Sequence, residues 1–273
     1  MEQRLKTVLI CHHDAPLHRV AMARWLGSFS DLTGIVEIHE PRARLWRRVR
    51  RELRRVGALR FLDVLAYRAW DRLTLAAADR RWEAGLLARL GRLYGAVPVS
   101  TPVHVTTDPN SAATVAFIRE RAPDLALAAC KIILRPALFS IPPRGTFVVH
   151  PGICPEYRNA HGCFWALARD DGHNVGATLL KVDAGVDTGP VYGYFRYPYD
   201  ASRESPFMIQ SRVVFDNLDQ IRATLLAIGA GRASPLDTST RRSATWGQPR
   251  LSAYIGWKRL ARRRRAGAYA AVS

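Results

Sequence analysis

Apolar and polar positions alternate along much of the chain in a pattern typical of strands followed by amphipathic helices. Apolar runs over residues 6–11 and 34–39 predict two strands, and the segment 15–26 between them predicts a helix. Later strands are predicted over 103–106, 125–129, 145–149, 177–182 and 191–197. Later helices are predicted over 112–121, 136–139, 163–169 and 206–228. Strands that alternate with helices predict an α/β fold with a mostly parallel sheet and flanking helices.

A long helical segment interrupts this alternation at about residues 42–94. Its apolar residues recur at helical spacing, and arginine occupies many of the positions between them. The first apolar stripe comprises Leu45, Val49, Leu53 and Val56. We interpret the segment as a helical insertion whose apolar stripes serve packing. We therefore predict an α/β domain over residues 1–230 that carries this insertion. A basic C-terminal extension over 231–273 follows, irregular at first and ending in a short helix or in disorder.

Basic residues are concentrated in two segments. The chain has 41 Lys and Arg against 23 Asp and Glu, which gives a net charge of +18. Residues 42–60 contain nine arginines and one glutamate, and residues 258–265 contain six basic side chains. Such segments contact phosphate groups, nucleic acid or an anionic membrane surface, or else form solvated helix faces. The rest of the chain carries an ordinary charge.

The composition excludes several classes of protein. Hydrophobic residues make up 48% of the chain, with seven tryptophans, which suffices for a folded core and excludes a disordered protein. No apolar stretch approaches the roughly 18 residues of a membrane span, and the first residues lead directly into a strand instead of a signal sequence. The four cysteines lack CxxC spacing, so neither a zinc site nor a disulfide framework is indicated. We expect a cytoplasmic protein, with or without peripheral contact to a membrane.

Two polar motifs follow predicted strands and contain the candidate chemistry. The first, HPGICPEYRNAHG, occupies residues 150–162 and starts at a strand end, where parallel sheets bind their ligands. The second, VDAGVDTGP, occupies residues 182–190. Together they resemble the folate-dependent formyltransferase family, which includes the glycinamide ribonucleotide, methionyl-tRNA and sugar formyltransferases. Its pattern is roughly N-x-H-P-S-L-L-P-x-Y-x-G-x-H and then V-D-x-G-x-D-T-G-P. The resemblance covers residues 97–230 well and 6–40 weakly.

The resemblance implies both a fold and a reaction. The fold is a Rossmann-like α/β domain, and the reaction is attack by a primary amine on the formyl carbon of 10-formyltetrahydrofolate, the co-substrate, without a metal. His150 matches the family's histidine, which would hydrogen-bond the developing oxyanion. Asp187 matches the family's aspartate, which would position a water molecule, orient the imidazole and assist proton transfer.

The resemblance also indicates where the folate and the acceptor amine would bind. The pterin is expected beside the segment that comprises Lys131, Ile132, Ile133 and Leu134. The acceptor is expected near His12, His13, Asp14 and Tyr157, residues that equally suit an exposed or packed loop. His161 either faces the acceptor or caps the helix that follows it.

Val148 is the largest departure from the family pattern, because it occupies the place of the asparagine. Valine offers no hydrogen-bond donor to an oxyanion, and loss of one such donor costs about 10²–10³ in rate. Three explanations remain open. Asn159, His161 or a backbone N–H replaces the donor; the enzyme is slow; or the chain binds folate or anions without transfer. Asn159 itself stands where the family usually has glycine.

Two features that the sequence lacks reduce the number of possible acceptors. No glycine-rich phosphate loop follows the first strand, which argues against glycinamide ribonucleotide. About 43 residues follow the helix that we predict up to residue 228 or so, too few for the β-barrel of the methionyl-tRNA enzymes, so we expect tRNA not to be the acceptor. We expect instead a small or carrier-bound amine, such as an amino sugar or a biosynthetic intermediate. A hydrolase that releases formate from the same folate is the alternative reaction.

Overall fold

A seven-stranded sheet forms the centre of the computed structural model, which describes residues 4–270 and, within them, the side chains of all but 42–45, 47, 48 and 266–270. Its strands are β1 (Lys6–His12), β2 (Asp31–Ile38), β3 (Val103–Thr106), β4 (Leu125–Ala129), β5 (Thr146–His150), β7 (Ala177–Lys181) and β8 (Val191–Phe195). The short strands β6 (Arg158–Asn159) and β9 (Thr245–Trp246) pair with each other. The sheet order is β3-β2-β1-β4-β5-β7-β8, parallel from β3 to β5, whereas β7 pairs antiparallel with both β5 and β8. The predicted mostly parallel α/β fold is confirmed.

Helices cover both faces of this sheet. They are α1 (Ala23–Phe29), α2 (Arg42–Val56), α3 (Ala58–Trp70), α4 (Ala76–Tyr94), α5 (Ala112–Arg121), α6 (Pro136–Phe139), α7 (Gly162–Ala168), α8 (Pro206–Phe215), α9 (Leu218–Gly229) and α10 (Leu251–Ala270). The larger core lies on the face where Leu9 and Leu127 meet α1, α4 and α7 to α9. A smaller core lies on the opposite face, where Val8 and Ile10 meet α5 and α6. β1 is apolar at successive positions because both of its faces are covered.

The structure corrects several predicted boundaries. The single helix predicted over 206–228 is two helices that divide at Asp216 and Asn217. The Asn217 side chain donates to the Val213 carbonyl at 3.0 Å, a local bond that competes with continued helix. The helix predicted over 15–26 begins as a π-helical turn over Leu17–Met22 and continues to the end of α1. The basic C-terminal stretch is helical, as α10.

The helices α2 to α4, which lie between β2 and β3, pack on the α/β core only in part. Val64, Leu86 and Leu90 are buried, whereas Leu59 is 85% and Leu62 61% exposed. The expectation that the apolar stripes serve packing therefore fails on the outer face of α3. Leu45, from the first predicted stripe, lies outside the described side chains. Of the helices described, none is long and apolar enough to span a membrane.

Candidate active site

The ends of three neighbouring strands bring the predicted site residues to one edge of the sheet. β1, β4 and β5 are parallel neighbours, so that their carboxyl ends lie side by side. His12 ends β1 and is buried, and its Nε2 accepts a hydrogen bond from the Lys131 backbone N–H at 3.0 Å. His150 ends β5 and is also buried. The sheet topology thus places His12, Lys131 and His150 along the edge where ligands of such sheets bind.

His150 and Asp187 meet although they are 37 positions apart in the chain. The Nδ1 atom of His150 lies 3.5 Å from Oδ2 of Asp187, an ion-pair distance that is long for a hydrogen bond. On the other side of the ring, Nε2 lies 2.9 Å from the Tyr157 carbonyl oxygen. A carbonyl can only accept, so Nε2 is the donor of this bond. The ring is therefore oriented by Tyr157, and Nδ1 is the nitrogen that faces the carboxylate.

The Asp187 carboxylate is held by the first motif. The backbone N–H of Asn159 donates to Asp187 Oδ2 at 2.8 Å, the same oxygen that faces His150. Both residues have positive φ, 51° for Asp187 and 75° for Asn159. Non-glycine residues in this conformation are strained and cluster at functional sites. The two motifs thus form one structural unit around His150.

Two glycines allow the first motif to close over the imidazole. A Cβ atom on Gly152 would lie 2.7 Å from both His150 Nε2 and the Tyr157 carbonyl oxygen. A Cβ atom on Gly162 would lie 2.5 Å from the Gly152 Cα. Neither position has room for a larger residue, so the bond from His150 to Tyr157 depends on both glycines. Both glycines lie in the first motif, but their positions in the sequence did not indicate this role.

Asn159 is engaged by the C-terminal extension. Its side-chain Nδ2 donates to the Trp246 carbonyl at 2.5 Å, and the short strands β6 and β9 pair at this point. The contribution of Asn159 to the site is therefore its backbone N–H. The Tyr157 side chain likewise points into packing, because its ring stacks on Trp246 and its hydroxyl donates to Asp171 at 2.7 Å.

His161 borders a cavity that the sequence analysis did not foresee. The cavity has a volume of about 210 Å³ and is lined by Tyr67, Arg68, Asp71, His161, Gln248 and Pro249. Its walls thus come from α3 and the Asp71 that follows it, from the first motif and from the segment after residue 230. Burial, reinforced by the positive charges of Lys131 and Arg68, lowers the pKa of His161 to about 4. The imidazole is therefore neutral at physiological pH, and its Nδ1 lies 3.3 Å from the Gln210 amide nitrogen.

Val148 lies on the same face of β5 as His150, because residues two apart in a strand share a face. It is half-buried and packs against the apolar cluster of Cys154, Leu180 and Val191. No hydrogen-bond donor is available from its side chain. The position that matches the family's asparagine thus holds an apolar side chain.

The segment predicted for folate lies between β4 and α6. Leu134 is buried in the smaller core, whereas Ile133 is 58% exposed. Asn110 fixes the backbone of this segment, donating to the Ile133 carbonyl at 3.0 Å and accepting from the Arg135 N–H at 2.7 Å. Ile133 can therefore make apolar contact with a ligand, whereas Leu134 cannot.

The predicted acceptor residues divide between two places. His12 lies in the row of strand ends that includes His150. His13 and Asp14 are exposed and follow β1, which is separated from β5 by β4. His13 contacts Glu37, which lies near the end of the neighbouring strand β2.

Comparison with known proteins finds formyltransferases that resemble part of this chain. Residues 101–217 match the family model described as formyl transferase. Methionyl-tRNA formyltransferase from Microcystis aeruginosa is 33% identical over 135 residues, which cover 49% of this chain and 36% of that protein. The enzyme of the same name from Thermus thermophilus is 31% identical over 149 residues, which cover 52% of this chain and 47% of that protein. The chain thus matches less than half the length of these curated relatives.

Solved structures share the fold at low sequence identity. A sugar N-formyltransferase from Shewanella sp FDAARGOS_354 superposes with a TM-score of 0.53 and 14% identity, covering 92% of this chain and 86% of that one. Phosphoribosylglycinamide formyltransferase from Anaplasma phagocytophilum superposes with a TM-score of 0.54 and 14% identity, covering 90% of this chain and 100% of that one. The segment matched by the family model contains both motifs, with His150 and Asp187, so this part of the chain is similar to formyl transferases.

Proposed function

We propose that this chain transfers a formyl group from 10-formyltetrahydrofolate to a primary amine. The observation that carries the proposal is the approach of His150 Nδ1 to Asp187 Oδ2 at 3.5 Å, at the carboxyl edge of the sheet. The match of residues 101–217 to the formyl transferase family model supports the reaction class. The folate dependence and the roles of the two side chains are part of the proposal.

The two side chains supply the proton chemistry that formyl transfer requires. The amine nitrogen forms a bond to the formyl carbon, the bond from that carbon to the folate nitrogen breaks, and one proton passes from the amine to the folate nitrogen. A protonated His150 Nδ1 would donate to the oxygen that gains charge during attack. Asp187 would accept the amine proton, directly or through water, and return it to the leaving nitrogen.

The folate would bind along the same edge. Ile133 offers an exposed apolar side chain for the pterin ring, and Asn110 holds the backbone beside it. The link from Lys131 to His12 holds the adjacent strand ends together. These features fit a flat ring with polar edges, because ligand sites combine apolar walls with a few fixed polar groups. No metal is required for this chemistry.

The acceptor that we propose is a small or carrier-bound amine, such as an amino sugar. The cavity beside His161, at about 210 Å³, is smaller than a typical ligand pocket of about 300–1,000 Å³. An amine-bearing end group would enter it beside His161. The curated relatives are named methionyl-tRNA formyltransferases, so their names favour tRNA and give no support to the expectation that tRNA is excluded. The acceptor must therefore be decided by assay.

The deciding experiment measures products with and without an amine. Purified protein is incubated with 10-formyltetrahydrofolate and either methionyl-tRNA, an amino sugar nucleotide or buffer, and N-formyl product and free formate are quantified. We expect amine-dependent N-formyl product, and a loss of about 10²–10⁴ in rate for His150→Ala but not for the exposed control His173→Ala. Formate release without an amine would indicate the hydrolase instead. Folate binding without either product, unchanged by His150→Ala, would indicate a binding protein.

An anionic membrane surface is the partner that we propose for the basic segment 42–60. The segment 258–265 is a weaker candidate than its charge suggested, because Lys258 is buried and donates to the Ala201 and Glu204 carbonyls, and Arg264 pairs with Asp170. Exposed Trp46, Leu59 and Leu62 accompany the arginines, and basic helices with exposed aromatic and leucine side chains bind lipid interfaces. This would place the protein in the cytoplasm at the membrane. Sedimentation with phosphatidylglycerol vesicles should exceed that with phosphatidylcholine and should decrease between 50 and 200 mM salt, roughly the range that affects such contacts. Equal binding to both lipids, or preference for tRNA, would contradict it.

A further inference from the structure

A second cluster of polar side chains lies at the ends of β1 and β2, away from the pair formed by His150 and Asp187. The Nδ1 atom of His13 lies 2.5 Å from Glu37 Oε1, and Nε2 of His39 lies 2.9 Å from the same oxygen. The two imidazole rings stack with centroids 4.1 Å apart. One potential ligand atom from each residue falls within 4.8 Å of the other two. Two imidazoles and a carboxylate thus converge on one point.

The backbone holds these three residues in place. The His13 N–H donates to the Ile38 carbonyl at 3.0 Å, so the pairing of β1 with β2 continues past the last residue of β1. The His39 N–H donates to the Thr106 carbonyl at 2.8 Å, so its position is fixed by β3. Glu37 lies within β2 itself. A site built on strand ends keeps its geometry better than one on a free loop.

From this arrangement we infer that His13, Glu37 and His39 bind a divalent transition-metal ion, with zinc the best match. Two histidines and a glutamate form a known ligand set for zinc, which leaves one coordination position open. Zinc bonds of about 2.0–2.2 Å at tetrahedral angles require ligand atoms about 3.3 Å apart. The observed 2.5 and 2.9 Å separations need to widen by less than about 1 Å.

The surroundings suit an open metal site. The His13 and His39 side chains are 50% and 42% exposed, whereas Glu37 is 13% exposed, so the free position faces solvent. Arg19 Nη1 lies 3.9 Å from the other carboxylate oxygen of Glu37 and would hold that carboxylate in position. Groups that orient a metal ligand in this way contribute to affinity. Water or an anionic oxygen of a ligand would complete the coordination.

This site is independent of the proposed formyl transfer. In the sheet, β1 and β2 are separated from β5 by β4, and formyl transfer needs no metal. Cysteine spacing gave no sign of the site, because its ligands are two histidines and a glutamate. The two histidines are 26 positions apart, and only the parallel pairing of β1 with β2 brings them together.

Calorimetric titration with zinc chloride tests the inference. The full chain is compared with His39→Ala, with Glu37→Gln and with the control His173→Ala, which removes an exposed histidine outside the cluster. We expect one zinc ion per chain, unchanged affinity for the control, and a loss of more than roughly 100-fold for both cluster variants. Removal of an outer-shell partner alone costs about 10–100-fold.

Two further measurements keep the result interpretable. Circular dichroism melting without metal establishes that each variant is folded, and Glu37→Gln preserves the side-chain size if His39→Ala does not fold. Titration with cobalt chloride should produce a visible absorption band in the parent and the control that both cluster variants lack. Two results would contradict the inference: zinc binding of equal strength in all four proteins, or no zinc binding by the parent. The cluster would then be only a hydrogen-bonded contact between one carboxylate and two imidazoles.

Discussion

Replacement of Val148 by asparagine tests whether the site lacks one oxyanion donor. Val148 precedes His150 by two positions on the same face of β5, so an amide there would lie beside the imidazole. Asn159, which the sequence analysis considered as a substitute donor, uses its amide on the Trp246 carbonyl. We therefore expect the site to be one donor short, and Val148→Asn to supply it.

The structure allows the two opposing effects of this change to be compared. Full burial of a valine side chain is worth about 1.5–3 kcal/mol, and Val148 is half-buried, so loss of its packing should cost about 1 kcal/mol of folding free energy. A well-placed oxyanion donor lowers the activation free energy by about 2.7–4 kcal/mol, or about 10²–10³ in rate. The gain in rate should therefore exceed the loss in stability.

The assay compares the parent, Val148→Asn and Val148→Ala, the last of which loses the same packing without adding a donor. kcat and KM for formyl transfer are measured with saturating 10-formyltetrahydrofolate, together with folate binding by fluorescence. We expect kcat to rise at least tenfold for Val148→Asn, toward the limit of about 10³ set by such donors, and not to rise for Val148→Ala. Equal kcat for the two variants, with folate binding intact, would show that another group already supplies the donor.

Three further predictions concern the residues around His150. Asp187→Asn should lower kcat by about 10²–10⁴ while the thermal midpoint changes little, and kcat near that of the parent would remove Asp187 from the mechanism. Gly152→Ala should cost about 1–3 kcal/mol in unfolding free energy because its Cβ would lie 2.7 Å from His150 Nε2, whereas Gly256→Ala, which has open space, should not. Folding lowers the pKa of His161 from 6.5 to about 4, so between these pH values the unfolded chain binds a proton that the folded chain does not. The free energy of unfolding should therefore decrease as the pH falls from 6.5 to 4. Chemical denaturation at pH 7 and 4.5 should show a smaller decrease for His161→Gln, and identical decreases would contradict this.

The sequence predicted those features that depend on local pattern. β4 and α5 occupy the predicted residues because a buried apolar run marks β4 and the Ser111 cap marks the start of α5. His150 and Asp187 could be named because each lies in a long motif of fixed spacing. Their approach then followed from the placement of both motifs beside β5 and β7.

The remaining features depend on contacts between distant segments. Arg68 and Gln248 are 180 positions apart and meet only because α10 packs against α3. Their sequence neighbours offer no motif that could have indicated a cavity. The helix break at Asn217 does not show in the apolar period, which continues across it, whereas the Asn217 side chain bonds the Val213 carbonyl there. The exposure of the α3 leucines is not predictable from their spacing, because periodicity cannot distinguish a covered face from an open one.

A crystal structure with a stable 10-formyl folate analogue would test the central proposal most directly. The measurement is the position of the formyl carbon relative to His150 Nδ1 and the Asp187 carboxylate. The account predicts that the formyl oxygen lies within hydrogen-bonding distance of Nδ1, with Asp187 on the side from which an amine would approach. An analogue that binds with its formyl carbon remote from both side chains would contradict it.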